Sequence, residues 1–468
     1  MWQEVASCLV LLGLWKGSAL NGYDMEADNK KPAARSGWLC CRRVSTRSIH
    51  PLMRHAVACT LAILVLLLAA PAQAQQYDLL LKGGHVIDPK NGIDGPMDVA
   101  IAGGKIARVA SDIPAADAER VIDVSGLYVT PGLIDIHTHV FVGSTPGRFA
   151  DGFSSVSPDD FTFRSGVTTV VDAGTSGWRN FSTFKEQVID QSRTRVLAFL
   201  NIVGYGMRGD PYNQDLGDMD PFITSSIIRQ YPELIVGTKI GHFQAENWQP
   251  FDRALEAARM ADVPLLLECH LPELALRDLL ERMRPGDIFT HAFGKVNDRT
   301  SVLDERGIVR DYVRTAKEKG IVFDVGHGGG SFHFSQAIPA MKQGLTPDAF
   351  GTDLHRGSMN AGMKSMLNVM SKYLNMGMSI EEIILRATWN PARIIQREDL
   401  GHLSEGAEAD VAVLNILRGA FGFVDSGGYK INGDQKFEAE LTLRAGRIVW
   451  DLNGLAAPVW QDVSESLN

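Results

Sequence analysis

Two textures alternate along the chain. From Tyr77 to Thr130 the apolar runs are short and alternate with polar residues. They fall at Asp78–Lys82, His85–Ile87, Asp98–Ile101 and Ile106–Val109, and are broken by Gly83-Gly84, Pro89, Gly92 and Gly103-Gly104. That rhythm predicts strands joined by tight turns. It returns at Asp410–Leu414, Glu438–Leu443 and Ile448–Asp451. Both ends are therefore expected to build one small β-sandwich domain, from 75–130 and 398–455, with a tail at 456–468. The middle, 131–397, has a different pattern. Apolar strand-like runs lie at Leu133–His139, Thr168–Ala173, Arg195–Ile202, Ile235–Ile240, Pro264–His270, Asp287–His291, Ile321–Val325 and Ala349–Asp353. Patterns of helical period separate several of them, as at Phe181–Asp190, Phe251–Ala261 and Val309–Lys319. Eight buried strands with helical crossovers predict an α/β fold, a (β/α)8 TIM-type barrel. An open doubly wound sheet is the alternative. It is disfavoured because no Gly-rich phosphate loop follows the first strand.

The N-terminal region reads differently again. Met53-Arg-His precedes an apolar run from Ala56 to Ala70, then Pro71 and Ala72-Gln73-Ala74. A short positive start, an apolar core and an A-x-A site are the layout of a secretory signal peptide at 53–74. The run is shorter than the about 20 residues a spanning helix needs, so no stable membrane anchor is expected after cleavage. Residues 1–52 are read as an upstream misassigned or unstructured stretch. Of five cysteines, at 8, 40, 41, 59 and 269, only Cys269 follows the expected cleavage site. No intrachain disulfide is then possible, which suits a large periplasmic or secreted protein with its own core.

The 468 residues are 45% hydrophobic and 22% charged, with a net charge of −9. An acidic balance argues against a nucleic-acid partner, which needs basic surface to neutralise phosphates. The oligomeric state stays open, a homo-oligomer included.

The candidate chemistry lies at strand ends. In Leu133-Ile-Asp-Ile-His-Thr-His139 the two histidines are two residues apart, so they share one face of a strand. Two imidazoles on one face suit a divalent metal. His270 ends the fifth run, His291 the sixth and Asp353 the eighth. One histidine at a strand end is usually a satisfied polar residue. Four histidines and an aspartate on the rim of one barrel point to a metal centre. Lys239 ends the fourth run. A protonated amine would be repelled by metals, whereas a lysine carbamate, formed with CO2, offers two oxygens that can bridge a pair of them. A lysine paired with an acid or a substrate anion is the alternative.

Pro131-Gly-Leu-Ile-Asp-Ile-His-Thr-His139, Lys239, His270, His291 and Asp353, in this order, resemble the amidohydrolase superfamily. Gly166–Gly174, Asn390-Pro-Ala392 and Gly401–Val411 extend the resemblance over essentially all of 75–468. Ser192–Ile202, Arg284–His291 and Phe323–Phe332 make the chain most similar to its amidohydrolase/deacetylase branch. The resemblance implies a binuclear centre. His137 and His139 would hold the buried metal with Asp353, and His270 and His291 the more exposed one. Carbamylated Lys239 would bridge the two. Zinc is the expected metal, although manganese, iron and nickel accept the same donors. Metal-bound water falls in pKa from about 15.7 to about 7, so hydroxide is available at neutral pH. Asp353 would shuttle its proton to the leaving group. The expected reaction is deacylation, above all deacetylation, of a small N-acyl amino acid or O-acyl hydroxy acid. The same centre also fits cyclic-amide opening of the dihydroorotase or hydantoinase kind, dipeptide cleavage or aminohydrolysis. A non-catalytic relative would be expected to lack ligands, and every position is filled.

Substrate contacts are less defined. His327 faces either substrate or its own loop. Gly329, within Gly328-Gly-Gly-Ser331, offers backbone N–H groups to an anion or merely forms a tight turn. Arg208 is a candidate counter-ion for an acidic substrate, with Arg179 and Arg356 as rivals. His242 and His355 lie just beyond the metal-bearing strands. The Met-rich stretch Met359–Met378 is read as core.

Overall fold

The computed structural model describes residues 75–146, 148–268, 274–295 and 301–460. The segments expected at 1–52 and 53–74, as well as His270, lie outside them. Among the described residues no helix is long and apolar enough to cross a membrane.

The two ends share one eight-stranded sheet. From the N-terminal side come β1 (Leu79–Asp88), β2 (Ile93–Ala102), β3 (Lys105–Ala110), β4 (Val121–Asp123) and β5 (Tyr128–Pro131). The order is β3-β2-β1-β5, with β4 also pairing with β1. The runs Asp78–Lys82 and His85–Ile87 form a single strand, bulged between Leu81 and Gly84. The C-terminal strands are the three antiparallel strands β14 (Val411–Val424), β15 (Lys430–Arg444) and β16 (Arg447–Asp451). Val411 of β14 is opposite Pro131 of β5, which welds the ends together. The sheet wraps a core that includes Leu81, Val99, Val129, Val413 and Leu441. β14 and β15 run well beyond their expected lengths as a long hairpin, because past Leu414 the outward face turns polar and the alternation weakens.

The middle forms a seven-stranded parallel sheet. Its members are β6 (Leu133–Thr138), β8 (Val167–Gly177), β9 (Arg195–Asn201), β10 (Ile235–Ile240), β11 (Leu265–Leu267), β12 (Ile288–Phe289) and β13 (Val322–Phe323), paired in that order. β7 (Val142–Thr145) stands outside this sheet. The eighth run is not a strand. It still closes the circle, because Ala349 bridges to Asp324 beyond β13 and Leu354 bridges to Thr138 of β6. Ile134, Val171, Phe199, Val236, Leu266 and Ile288 fill the floor, plugged by Ala392, Ile395 and Leu400. This is a (β/α)8 barrel with a packed interior, so chemistry is confined to its rim.

The helix Gln249–Ala261 buries Phe251, Ala254, Leu255 and Ala258 on one stripe and ends at Asp262 in a left-handed conformation. Asp311–Lys319 stops at Gly320 in the same way. The Met-rich stretch forms Met366–Asn375, whose Met366 and Met370 are buried as expected of core. Phe181–Asp190 begins as an α-helix and continues as a π-helix from Lys185 to Ile189.

Candidate metal centre

The rim gathers residues from β6, β10, β12 and the segment after Ala349. His137, His291 and Asp353 each offer a ligand atom within 4.8 Å of the others. His139 joins them, with Nε2 3.0 Å from Asp353 Oδ1. Three residues here leave the extended conformation. His291 (φ 57), Asp353 (φ 52) and His242 (φ 61) are left-handed, which no β-branched side chain would tolerate cheaply. Strain of order 1–3 kcal/mol at each turns these side chains back over the barrel mouth.

Each imidazole is oriented from behind. His137 Nδ1 lies 2.9 Å from Thr290 Oγ1 and 3.4 Å from Asp324 Oδ2, and the Thr290 hydroxyl donates to Asp324 at 2.7 Å. His137 Nε2 is buried with no hydrogen-bond partner among the described residues. A buried nitrogen left in that state costs about 1–3 kcal/mol unless something binds it. It faces the Asp353 carboxylate, 3.8 Å away. Burial, with Lys239 and His291 nearby, lowers the His137 pKa to about 4. The ring is therefore neutral at physiological pH, with a lone pair to donate. His139 Nδ1 is 3.0 Å from Thr175 Oγ1. His291 Nδ1 is 2.6 Å from the Gly326 carbonyl, which fixes its proton on Nδ1. Burial alone would raise the Asp353 carboxyl. The hydrogen bond from His139 and the surrounding imidazoles outweigh it and hold the group well below the usual range. A buried, unpartnered nitrogen, a second oriented imidazole and an ionised carboxylate form a donor set that fits a divalent cation.

Lys239 is fully buried, and its Nζ rests on Glu268 Oε2 at 3.0 Å. The sequence reading missed Glu268, which also meets His291 Nε2 at 2.9 Å and His242 Nε2 at 3.0 Å. A signal was present: Glu268 is two residues from Leu266, a floor residue, so it shares the inward face. Thr290 and Asp324 were also missed.

The substrate candidates diverge. His327 is buried, with Nε2 2.6 Å from Lys372 Nζ and Nδ1 2.9 Å from its neighbour's carbonyl at Gly328. Both ring nitrogens thus serve the loop and Lys372. Gly328 is left-handed, and a Cβ there would overlap Asp353 Oδ2. Gly329 is partly exposed. The Arg208 guanidinium stacks over Tyr205 and Tyr212 at 5.4 and 5.1 Å. Arg179 binds Asp218 and Arg356 lies over Phe153. His355 is closer to the chemistry than expected. Its Nδ1 accepts from Gly357 N and Ser358 N, and its Nε2 lies 4.0 Å from Asp353 Oδ2.

The pattern of the amidohydrolase family matches residues 239–450. A deacetylase of Agrobacterium fabrum is 34% identical over 340 residues, spanning 71% of this chain and 81% of that protein. A deacetylase of Enterococcus faecalis is 30% identical over 380 residues, 80% of this chain and 99% of that protein. Among solved structures, an adenine deaminase superposes with a TM-score of 0.73 at 28% identity, covering 80% of this chain and all of the other. A dihydroorotase superposes with a TM-score of 0.71 at 29% identity, covering 80% and 99%.

Proposed function

The chain belongs to the amidohydrolase family, and on that premise we propose that it deacylates a small N-acyl amino acid or O-acyl hydroxy acid at a binuclear metal centre. The observation that carries the reading is the convergence of the unpartnered His137 Nε2 with His291 and Asp353. The deacetylase names of relatives matched over 81–99% of their lengths support the acyl substrate.

In this reading His137, His139 and Asp353 would hold one divalent ion, and His270 and His291 the other. Lys239 would serve the pair as a carbamate, formed when its ammonium gives up two protons and Nζ bonds to the carbon of CO2. Zinc is the proposed metal. The metals would acidify the attacking water and polarise the acyl carbonyl. Asp353 is ionised at neutral pH and serves as the base. Its Oδ1, 3.0 Å from His139 Nε2, lies on the side where the cation would be held, and its Oδ2, turned toward Gly328 and His355, accepts the water's proton and delivers it to the leaving amine or alkoxide. The Gly328–Ser331 turn and His355 border the space where the acyl carbonyl would lie. The leader-like pattern of residues 53–74 supports a periplasmic or secreted site of action.

Cyclic-amide opening or aminohydrolysis is the second reading, favoured by superposition on a dihydroorotase and an adenine deaminase. Protein made from Gln75 onward, loaded with zinc and bicarbonate, decides between them. Release of acetate from N-acetyl or O-acetyl acids, lost on chelation and restored by metal, is the expected result. No acyl release from metal-replete protein, together with ring opening or ammonia release, would replace it with the second reading.

A further inference from the structure

The glycine turn at the barrel mouth is strung between two posts. Gly328 passes beside Asp353, so closely that a Cβ would overlap Oδ2. Beyond it the turn has little to lean on: a Cβ on Gly330 would meet nothing within 4 Å. Three consecutive glycines do not hold a shape by themselves. Their two ends are fixed instead. Before them, His327 Nε2 lies 2.6 Å from Lys372 Nζ, which also donates to the Gly362 carbonyl at 2.7 Å. After them, Phe332 exchanges two hydrogen bonds with Ser426. The Ser426 N–H donates to the Phe332 carbonyl at 2.8 Å, and the Phe332 N–H donates to the Ser426 hydroxyl at 3.2 Å. The His327 and Phe332 rings stack across the neck of the turn, 4.6 Å apart and 24° from parallel.

Ser426 sits at the tip of the β14–β15 hairpin, in the domain built from the chain ends. Its neighbour Asp425 is buried and uses both oxygens. Oδ1 accepts from the Gly427 and Tyr429 N–H groups at 2.9 Å each, which shapes the tip. Oδ2 accepts from the Phe334 N–H at 3.0 Å. That bond caps the helix Phe334–Lys342, whose own N-cap residue His333 makes no side-chain cap. The flank of the hairpin is tied to Met366–Asn375, the helix that carries Lys372. The Phe437 N–H donates to Ser371 Oγ at 3.0 Å, and Asn375 Nδ2 donates to the Gln435 carbonyl at 2.8 Å. Both posts therefore lead back to one hairpin. Resting on the hydrolase reading above, we propose that Asp425 and Ser426 are positioning residues of the active site, which hold the Gly328–Ser331 turn in place beside Asp353 from the far-end domain. The length of the hairpin follows from this task, since a shorter one would stop before the rim. The small domain then shapes the space where the acyl group would lie, and does not only close the sheet.

The test compares wild type, Asp425→Ala and Ser379→Ala, all loaded with metal. Ser379→Ala removes the cap of another helix, Ile380–Ala387, and controls for lost stability alone. Amide hydrogen exchange over 328–334 is expected to speed up about tenfold or more in Asp425→Ala and to stay at the wild-type rate in Ser379→Ala. A displacement of ~1 Å at a reacting group costs on the order of 100-fold, so kcat for acyl release is expected to fall about 10–100-fold in Asp425→Ala, with KM within about threefold and metal content unchanged. Should Asp425→Ala fail to fold, Asp425→Asn takes its place, keeping the shape and one acceptor oxygen. Exchange at the wild-type rate in the Asp425 variant overturns the proposal, and so does a kcat equal to that of Ser379→Ala. A wild type that opens a cyclic amide or releases ammonia sinks the deacylase reading and not this one, because the same comparison is then made on that reaction. Exchange needs no turnover, so the hold of the hairpin on the turn is judged even if no substrate reacts.

Discussion

Gly174→Ala tests how tightly the site is built around Lys239. Gly174 lies in β8 with φ 79, where β8 leaves register with β9 between Ala173 and Gly177. A Cβ added there would come within 2.6 Å of Lys239 Cβ and overlap Cγ. Lys239 has no retreat, being fully buried with Nζ tied to Glu268. The left-handed conformation costs an alanine roughly 1–2 kcal/mol. Overpacking a close-packed interior adds about 1–3 kcal/mol. The expected destabilisation is about 2–5 kcal/mol, read as a lower urea midpoint at unchanged slope for the metal-free protein. Gly92→Ala is the control. It too is left-handed (φ 63), but its Cβ would meet nothing within 4 Å, so only the conformational cost of about 1–2 kcal/mol applies. Equal midpoints for the two variants would refute the claim that the Lys239 stem fills the space beside Gly174.

Asp324→Asn removes the charge behind Thr290 and His137 while preserving shape, and is expected to weaken metal binding about 10–100-fold in a chelator competition. Unchanged affinity would show that Asp324 does not tune His137. Lys372 gives a pH test. Burial lowers its pKa from 10.5 to about 7, although Asp425 raises it. Between about pH 7 and 10.5 the unfolded chain binds a proton that the folded chain has released, so stability rises with pH across that window. The single group contributes at most ~1.4 kcal/mol per pH unit. Urea midpoints at pH 7 and 9 are expected to rise in wild type and to rise less in Lys372→Met. Parallel slopes would exclude Lys372 as the source.

The barrel was legible because its strands are buried on both faces, and continuous apolar runs such as Val196–Leu200 and Leu265–Leu267 announce that. The eighth strand was legible only as a position: the run from Ala349 to Asp353 sits in its place but pairs through single bridges. His137, His139, Lys239, His291 and Asp353 could be picked out because they terminate such runs. Their orientation could not. On β6 the alternation places His137 and Ile136 on opposite faces, yet Ile136 is on the floor and His137 at the mouth, since the pairing with β8 slips between Asp135 and Thr138. His291 and Asp353 enter the site through left-handed residues that no period of two anticipates. Glu268 was overlooked because His270, two residues on, drew the ligand assignment. For His327 the loop alternative could be anticipated, since Nδ1 meets the Gly328 carbonyl, but nothing in its own neighbourhood names Lys372, 45 positions away and 2.6 Å distant.

The sheet shared by the two chain ends has a consequence for cut molecules. Only Gly132 separates β5 from the first barrel strand, and β5 is paired to β14 from the far end of the chain. A single nick in a barrel loop leaves two fragments, each holding one side of the same β5–β14 seam. The halves stay registered through backbone hydrogen bonds and a common apolar core, so the cleaved protein would migrate as one body under native conditions and separate only in denaturant. Fragments expressed apart would find each other along that seam, which makes the small domain a clasp for reassembling the barrel.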